Sequence, residues 1–187
     1  MTVTVQRWKG TPPDADPTRR AVVLPGRAYP VELPGLWTPM RALALAGWDV
    51  WHATWDPADV PPERARAVVE SAVERMGDGA RLVVGKSLGS LAAGRAADEG
   101  VPAVWLTPLL TYPQVPDDIA RPAAPTLLVA GTRDHTWDDV VASGIACPQV
   151  RLDGLDHGLL CGDLDRELAA LRVVGRSVAD FAAALTA

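Results

Sequence analysis

Short apolar runs alternate along the chain with segments whose apolar residues recur at a helical spacing. The runs are nearly continuous in apolar residues, a pattern typical of strands covered on both faces. Gly, Pro or Asp residues follow several of them, as expected where a buried strand ends in a turn. The predicted strands are Ala21–Leu24, Trp48–Trp55, Arg81–Val84, Val101–Leu106, Thr126–Ala130 and Gln149–Leu152.

Apolar residues three and four positions apart predict helices between these strands. The pattern is clearest in the segment from Pro61 to Met76, which prolines open at positions where a missing N–H costs nothing. The predicted helices are Trp37–Ala46, Pro61–Met76, Ser87–Glu99 and His135–Ala146. A last helix is expected to bury a stripe formed by Leu164, Leu168, Leu171, Val174, Val178 and Phe181.

Strands that alternate with helices favour parallel βαβ units, and so a doubly wound, mostly parallel sheet with helices on both faces. The proline-rich segments Thr11–Pro17, Asp56–Pro62 and Pro113–Pro125 are expected to be surface connections, too short to link domains. A chain of 187 residues has room for one sizeable core. We therefore expect residues 1–187 to form a single α/β domain.

Composition and charge exclude several classes of partner. The chain has 18 basic and 23 acidic residues and a net charge of −5, without a basic cluster, so nucleic acid is not expected to bind. No apolar run reaches the roughly 18 residues of a membrane span, and the first residues lack a signal pattern, so a cytoplasmic protein is expected. Cys147 and Cys161 lack metal-site spacing and are expected to stay reduced, with no metal or cofactor.

The segment Gly85–Gly89, with the sequence GKSLG, follows a predicted strand and opens a predicted helix. A G-x-S-x-G sequence in this context predicts a nucleophile elbow, a sharp turn that raises a serine hydroxyl above the sheet edge. The flanking glycines remove side chains that would collide with nearby backbone in so tight a turn. Ser87 is therefore the candidate nucleophile.

A nucleophilic serine needs a base, and the chain has three histidines. His157 lies in a loop after the last predicted strand, at the sheet edge where catalytic groups of open α/β sheets collect. His52 lies inside a predicted strand, and His135 directly follows Asp134. His157 is the preferred base.

The orienting acid is expected from a strand end between Ser87 and His157. Asp134 follows the strand Thr126–Ala130 closely, and its rivals are Asp138, at a predicted helix start, and Asp153. With Asp134, the chain has the order Ser, Asp, His that is typical of α/β-hydrolases.

An oxyanion hole needs two backbone donors. The Leu88 amide, next to the nucleophile, is one candidate. The other is expected in the loop after Ala21–Leu24, where Gly26 permits close backbone approach and the Arg27 amide is preferred over that of Ala28.

Four segments together resemble small α/β-hydrolases, similar to the lidless dienelactone-hydrolase-like esterases: Leu24–Arg27, Gly85–Gly89, Gly131–Asp134 and Asp156–Gly158. The resemblance covers most of the chain and implies a minimal α/β-hydrolase fold. Three residues differ from those of the related hydrolases, and each difference bears on the substrate. Pro25 and Lys86 stand where many relatives carry His, and the candidate nucleophile is serine, whereas dienelactone hydrolases proper use cysteine.

The residues from Thr107 to Pro125 are too few and too rich in proline for a helical lid. Tyr29, Trp37, Leu109 and Trp137 lie in segments expected to line the site and contact substrate. The sequence thus predicts a cofactor-free serine hydrolase that cleaves a small ester or thioester, with a preference for short acyl groups.

Two alternatives use the same residues differently: a catalytically silent binding protein of this fold, and an acyltransferase or peptidase. A flavodoxin-like nucleotide binder is disfavoured, because the chain lacks a G-x-G-x-x-G sequence and a P-loop.

Overall fold

The structure, a computed structural model, describes residues 3–76, 79–121 and 124–185. Its strands are β1 (Thr4–Arg7), β2 (Asp16–Leu24), β3 (Trp48–Thr54), β4 (Ala80–Lys86), β5 (Ala103–Leu106), β6 (Thr126–Gly131) and β7 (Gln149–Leu152). They form one sheet in the order β1-β3-β2-β4-β5-β6-β7. β1 pairs antiparallel with β3, and every other neighbouring pair is parallel.

Helices cover both faces of the sheet. The α-helices are α1 (Pro34–Leu45), α2 (Ala65–Glu74), α3 (Ala93–Asp98), α4 (Val115–Ala120), α5 (Asp139–Ser143) and α6 (Leu164–Ala184). Buried residues of α1 and α6 pack on one face, and those of α2 to α5 on the other. Alternate residues of β2 belong to the hydrophobic cores on the two faces of the sheet. Ala21 and Val23 face α1 and α6, and Val22 faces the helices on the opposite side. The doubly wound, mostly parallel α/β fold predicted from the sequence is confirmed.

The sequence analysis missed β1 and the first half of β2. β1 is a short antiparallel edge strand in which only Val5 is apolar, so it lacks the continuous apolar run of a buried strand. The segment Thr11–Pro17, expected to be a surface connection, extends into the start of β2 at Asp16.

Helix starts also differ from the prediction. Pro62–Arg64 forms a 3₁₀ turn before α2 begins at Ala65, and Ser87–Ala92 forms a 3₁₀ helix that precedes α3. The segment His135–Ala146 is helical only from Asp139, because the Asp138 carboxylate accepts hydrogen bonds from the amides of Val140 and Val141 and caps the helix there.

The stripe predicted for the last helix is wrong at its N-terminal end. Leu164 and Leu168 are 69% and 53% exposed. Among the described residues, the buried positions of α6 begin at Ala170 and continue through Val174 and Val178. An apolar side chain is buried only where another element covers it, and the first turns of α6 have no such cover.

Candidate active site

Ser87 directly follows β4 and has a φ of +50°, a left-handed conformation that non-glycine residues rarely adopt. The turn is crowded on both sides. A Cβ at Gly85 would lie 2.6 Å from the Trp105 ring, and a Cβ at Gly89 would lie 2.7 Å from the Leu24 carbonyl oxygen. Only glycine fits at both positions, as the G-x-S-x-G context predicts. The geometry is that of a strained strand-to-helix turn.

His157 reaches Ser87 from the loop after β7. Its Nε2 lies 2.8 Å from Ser87 Oγ, and its Nδ1 lies 2.8 Å from Asp134 Oδ1. Asp134 belongs to the loop after β6, and its side chain is fully buried. The His157 side chain remains 23% exposed. Thus three separate segments, one helix start and two loops, bring the predicted nucleophile, base and acid into one continuous hydrogen-bonded chain.

Thr136 is a neighbour of Asp134 that the sequence analysis did not single out. Its amide and its hydroxyl each lie 2.9 Å from Asp134 Oδ1, and the hydroxyl is also 3.1 Å from both His157 Nδ1 and the Pro108 carbonyl oxygen. Burial alone would raise the pKa of Asp134, but hydrogen bonds from His157 and Thr136 outweigh it and hold that pKa below its ordinary value. Asp134 is therefore a fixed anion beside the imidazole.

The rival acids lie elsewhere. Asp138 is committed to capping α5, and the Asp153 side chain is 94% exposed and contacts Arg166. The other two histidines are likewise not bonded to Ser87. The exposed His135 ring lies 5.1 Å from that of His157, and His52 is buried in β3, where burial lowers its pKa.

The predicted oxyanion donors flank Ser87. A Cβ on Gly26 would lie 3.6 Å from Ser87 Cβ, so the loop after β2 passes directly beside the nucleophile. A tight turn, in which the Gly26 amide donates to the Tyr29 carbonyl, leaves the Arg27 and Ala28 amides without an acceptor in the described part of the chain. Leu88 is the second residue of the 3₁₀ helix that starts at Ser87, where amides have no intrahelical acceptor.

Lys86 is almost fully buried, although it stands next to the nucleophile in an open site. Its Nζ donates to Thr107 Oγ1 and to the His157 carbonyl oxygen, both at 2.8 Å, and lies 4.3 Å from the centre of the Tyr29 ring. Sequence reasoning noted Lys86 only as a departure from the related pattern. A lysine at the end of a buried strand was the one available signal of a buried cation.

The four predicted substrate-contact residues have different surroundings. The Tyr29 ring lies against Lys86, and its hydroxyl accepts a hydrogen bond from the Gly35 amide. Trp37 is 47% exposed on α1, and Leu109 is half-buried. Trp137 is packed into the core, where the Arg151 guanidinium stacks on its ring and its Nε1 donates to Asp139. A role in substrate contact stays a prediction for all four.

Metal-binding clusters and membrane helices were also sought. Within the three described ranges, no group of three or more His, Cys, Asp or Glu residues could hold a metal ion. None of the helices there has both the length and the apolar character to cross a bilayer. Cys147 and Cys161 are free thiols that pack against the cores on opposite faces of the sheet.

Comparison with known proteins agrees with this geometry at the level of fold. No model of a known protein family and no curated protein sequence matches the chain. Solved structures do match. An α/β serine hydrolase homologue from Coxiella burnetii is 18% identical, with a TM-score of 0.70 over 94% of this chain and 90% of that one.

Two further matches have similar coverage. An esterase domain from a Rhodothermus marinus protein is 15% identical, with a TM-score of 0.67 over 97% of this chain and 100% of its own. An α/β serine hydrolase without a lid from Xanthomonas campestris is also 15% identical, with a TM-score of 0.58 over 94% and 88% of the two chains. The protein therefore has the α/β-hydrolase fold, as the sequence resemblance implies.

Proposed function

We propose that the protein is a serine hydrolase that cleaves a small ester or thioester through an acyl-enzyme intermediate. The observation that carries the proposal is the 2.8 Å contact between Ser87 Oγ and His157 Nε2, in a histidine whose other nitrogen is held by Asp134. Serine hydrolases and an esterase domain among proteins of the same fold support this reading. We also propose a cytoplasmic location, in keeping with two free thiols.

In the first half of the reaction, the Ser87 hydroxyl donates its proton to His157 Nε2 as Oγ attacks the acyl carbon. Asp134 accepts the Nδ1–H and stabilises the imidazolium. The amides of Arg27 and Leu88 donate to the developing oxyanion. His157 then returns the proton to the leaving oxygen or sulfur. Water then attacks the acyl-enzyme through the same proton transfers, and the free acid and the enzyme are released.

The test is covalent labelling with a fluorophosphonate, read by mass spectrometry. We expect one adduct, on Ser87, and none in Ser87→Ala, because among the described serines only Ser87 has a histidine nitrogen within hydrogen-bond distance of its hydroxyl. Labelling that survives Ser87→Ala contradicts the nucleophile. Labelling without turnover of any ester, thioester or peptide favours a catalytically silent binding protein.

Ester turnover by variants separates Asp134 from its rivals. Asp134→Asn should lower kcat by about 10⁴-fold, because an amide favours the wrong imidazole tautomer. Asp138→Asn is the matched control, since asparagine caps a helix as well as aspartate does. A larger loss of kcat in Asp138→Asn than in Asp134→Asn would show that Asp134 is not the acid that orients His157.

A further inference from the structure

A cavity of about 230 Å³ opens between the loop after β2 and the end of β3. Its walls are formed mainly by carbon atoms, from residues that include Pro25, Val31, Ala53 and Trp55. Arg27 is the one charged residue among the described lining residues, and Thr54, the last residue of β3, also lines the cavity.

The cavity adjoins the candidate nucleophile. Gly26 belongs to its wall and also lies against Ser87, since a Cβ on Gly26 would be 3.6 Å from Ser87 Cβ. The Arg27 amide, proposed to bind the oxyanion, lies in the same stretch of wall. One side of the cavity is therefore formed by the same loop that flanks Ser87 and carries the predicted oxyanion donor.

Sheet order decides which half of an ester faces the cavity. Along the sheet edge, β3 and β2 lie on one side of β4 and its Ser87, whereas β6 and β7, which carry Asp134 and the His157 loop, lie on the other. His157 must protonate the leaving group, so the leaving group has to lie on the histidine side. The acyl group then points toward the cavity between the β2 and β3 ends.

Size and polarity define the acyl group that fits. An apolar cavity of about 150 Å³ already holds a benzene molecule, so one of 230 Å³ holds a single ring or a chain of about six carbons. Its largely apolar walls offer few partners for a polar acyl chain, which would lose its hydrogen bonds to water on entry.

We propose that this cavity is the acyl-binding site and that it selects esters of uncharged, apolar acids no larger than a six-carbon chain or a single ring. This inference rests on the proposed function and makes it narrower. It also changes the sequence-based expectation of a preference for short acyl groups, since in a bounded cavity each added carbon is expected to raise kcat/KM until the cavity is full.

The test compares kcat/KM for p-nitrophenyl acetate, butanoate, hexanoate, decanoate and benzoate. Each fully buried methylene is expected to raise kcat/KM by up to about fourfold, until the cavity is filled. The profile should therefore peak near hexanoate or benzoate and fall at decanoate.

Two variants fill the cavity from different walls. Thr54→Phe does so from the strand end and Ala28→Phe from an exposed loop, where a large side chain does not disturb the core. Both should lower the ratio of hexanoate to acetate kcat/KM by about tenfold or more, because the larger side chain occupies the space of several methylenes. Ala169→Phe, an exposed position on α6 outside this cavity, is the control and should keep the unmodified ratio.

A second series keeps the acyl group as acetate and varies the alcohol from methanol to pentanol. Thr54→Phe should leave that profile unchanged, and a loss confined to long alcohols would overturn the acyl assignment. An acyl profile that neither variant alters also overturns it. These failures differ from failure of the proposed function, in which Ser87 is not labelled and no ester turns over at all.

Discussion

Lys86 shows how a single side chain can hold the site together without reaching the substrate. Its ammonium group joins three loops, since it contacts Tyr29 after β2, Thr107 after β5 and the His157 carbonyl before α6. Thr107 has a φ of +44°, uncommon for a β-branched residue, and donation from Lys86 to its hydroxyl helps to fix that conformation. Lys86 is thus a positioning residue for the His157 loop.

Burial of the Lys86 ammonium group lowers the stability of the protein by an amount that depends on pH. Burial lowers the pKa of Lys86 to about 8 from an ordinary value of 10.5, although the negative charges of Asp134 and Asp156 act in the opposite direction. Between these pH values the folded protein has released a proton that the unfolded chain still binds. The stability contributed through Lys86 therefore rises with pH across this window and is lowest below pH 8.

We expect the free energy of unfolding of the unmodified protein to rise with pH relative to that of Lys86→Met. The expected rise between pH 7 and pH 10.5 is about 3 kcal/mol, since one pKa unit corresponds to about 1.36 kcal/mol. Urea unfolding at a series of pH values measures the difference. Lys9, the chain's other lysine, is exposed, so Lys9→Met should give a curve parallel to that of the unmodified protein. Parallel curves for Lys86→Met would contradict a buried ammonium.

Sequence reasoning reached Ser87, Asp134 and His157 because each residue type has a specific chemistry and each follows a strand. It could not assign Lys86 or Thr136 a role. The partners of Lys86 are a backbone oxygen and two loop side chains more than 20 residues away, and no local pattern encodes such contacts. Thr136 acts through its distances to Asp134 and Pro108, which depend on the folded loop.

At the scale of elements, the contact between β2 and the 3₁₀ helix after Ser87 sets the shape of the elbow. Gly89 lies against the Leu24 backbone, and β2 cannot retreat because it is hydrogen-bonded to β3 and β4 on its two sides. The closeness of helix and strand is what keeps Ser87 at the sheet edge.

Gly89→Ala should therefore destabilise the protein by about 1–3 kcal/mol, the usual cost of overpacking a close contact. It should also lower activity, since the elbow must shift. Gly144→Ala is the matched control: its φ of −81° suits alanine, and the nearest atom to the new Cβ is 3.4 Å away. That change should be neutral or slightly stabilising. Equal urea midpoints for the two variants would contradict the crowding at Gly89.

Strand boundaries were predicted to within one residue for three of the strands. β7 has the predicted bounds, and β3 and β6 differ from the prediction by one residue. Long, partly exposed elements were harder. The apolar residues Leu164 and Leu168 continue the pattern of α6 beyond the part that packs on the protein, and periodicity alone does not show where cover begins.

At the scale of the whole molecule, the order of strands was not derivable from apolar patterns. The sequence indicated a parallel sheet, but only the structure shows that β2 lies between β3 and β4 and that the cavity beside Gly26 lies opposite the His157 loop. The sequence-based expectation of short acyl groups was drawn from the lack of a lid in the segment after β5. The cavity proposed to bind the acyl group lies instead at the ends of β2 and β3.

The described part of the segment between β5 and β6 includes α4, which packs against the core. In α4, Val115 and Ile119 are buried against the core, and Asp118 forms an ion pair with Arg66 at 2.9 Å. His157 is already partly open to solvent. We therefore expect that a substrate reaches Ser87 without an opening step in α4.

We accordingly expect no activation at lipid interfaces, because such activation requires an apolar cover that opens on contact with lipid. The rate of p-nitrophenyl butanoate hydrolysis should rise to a plateau and show no jump as the ester passes its solubility limit. Asp118→Asn weakens the tie between α4 and α2, so a hidden lid would open more easily in this variant. The unmodified protein and the variant should give curves of the same shape. A jump in rate at the solubility limit, or one that the variant removes, would show that α4 closes over the site in solution.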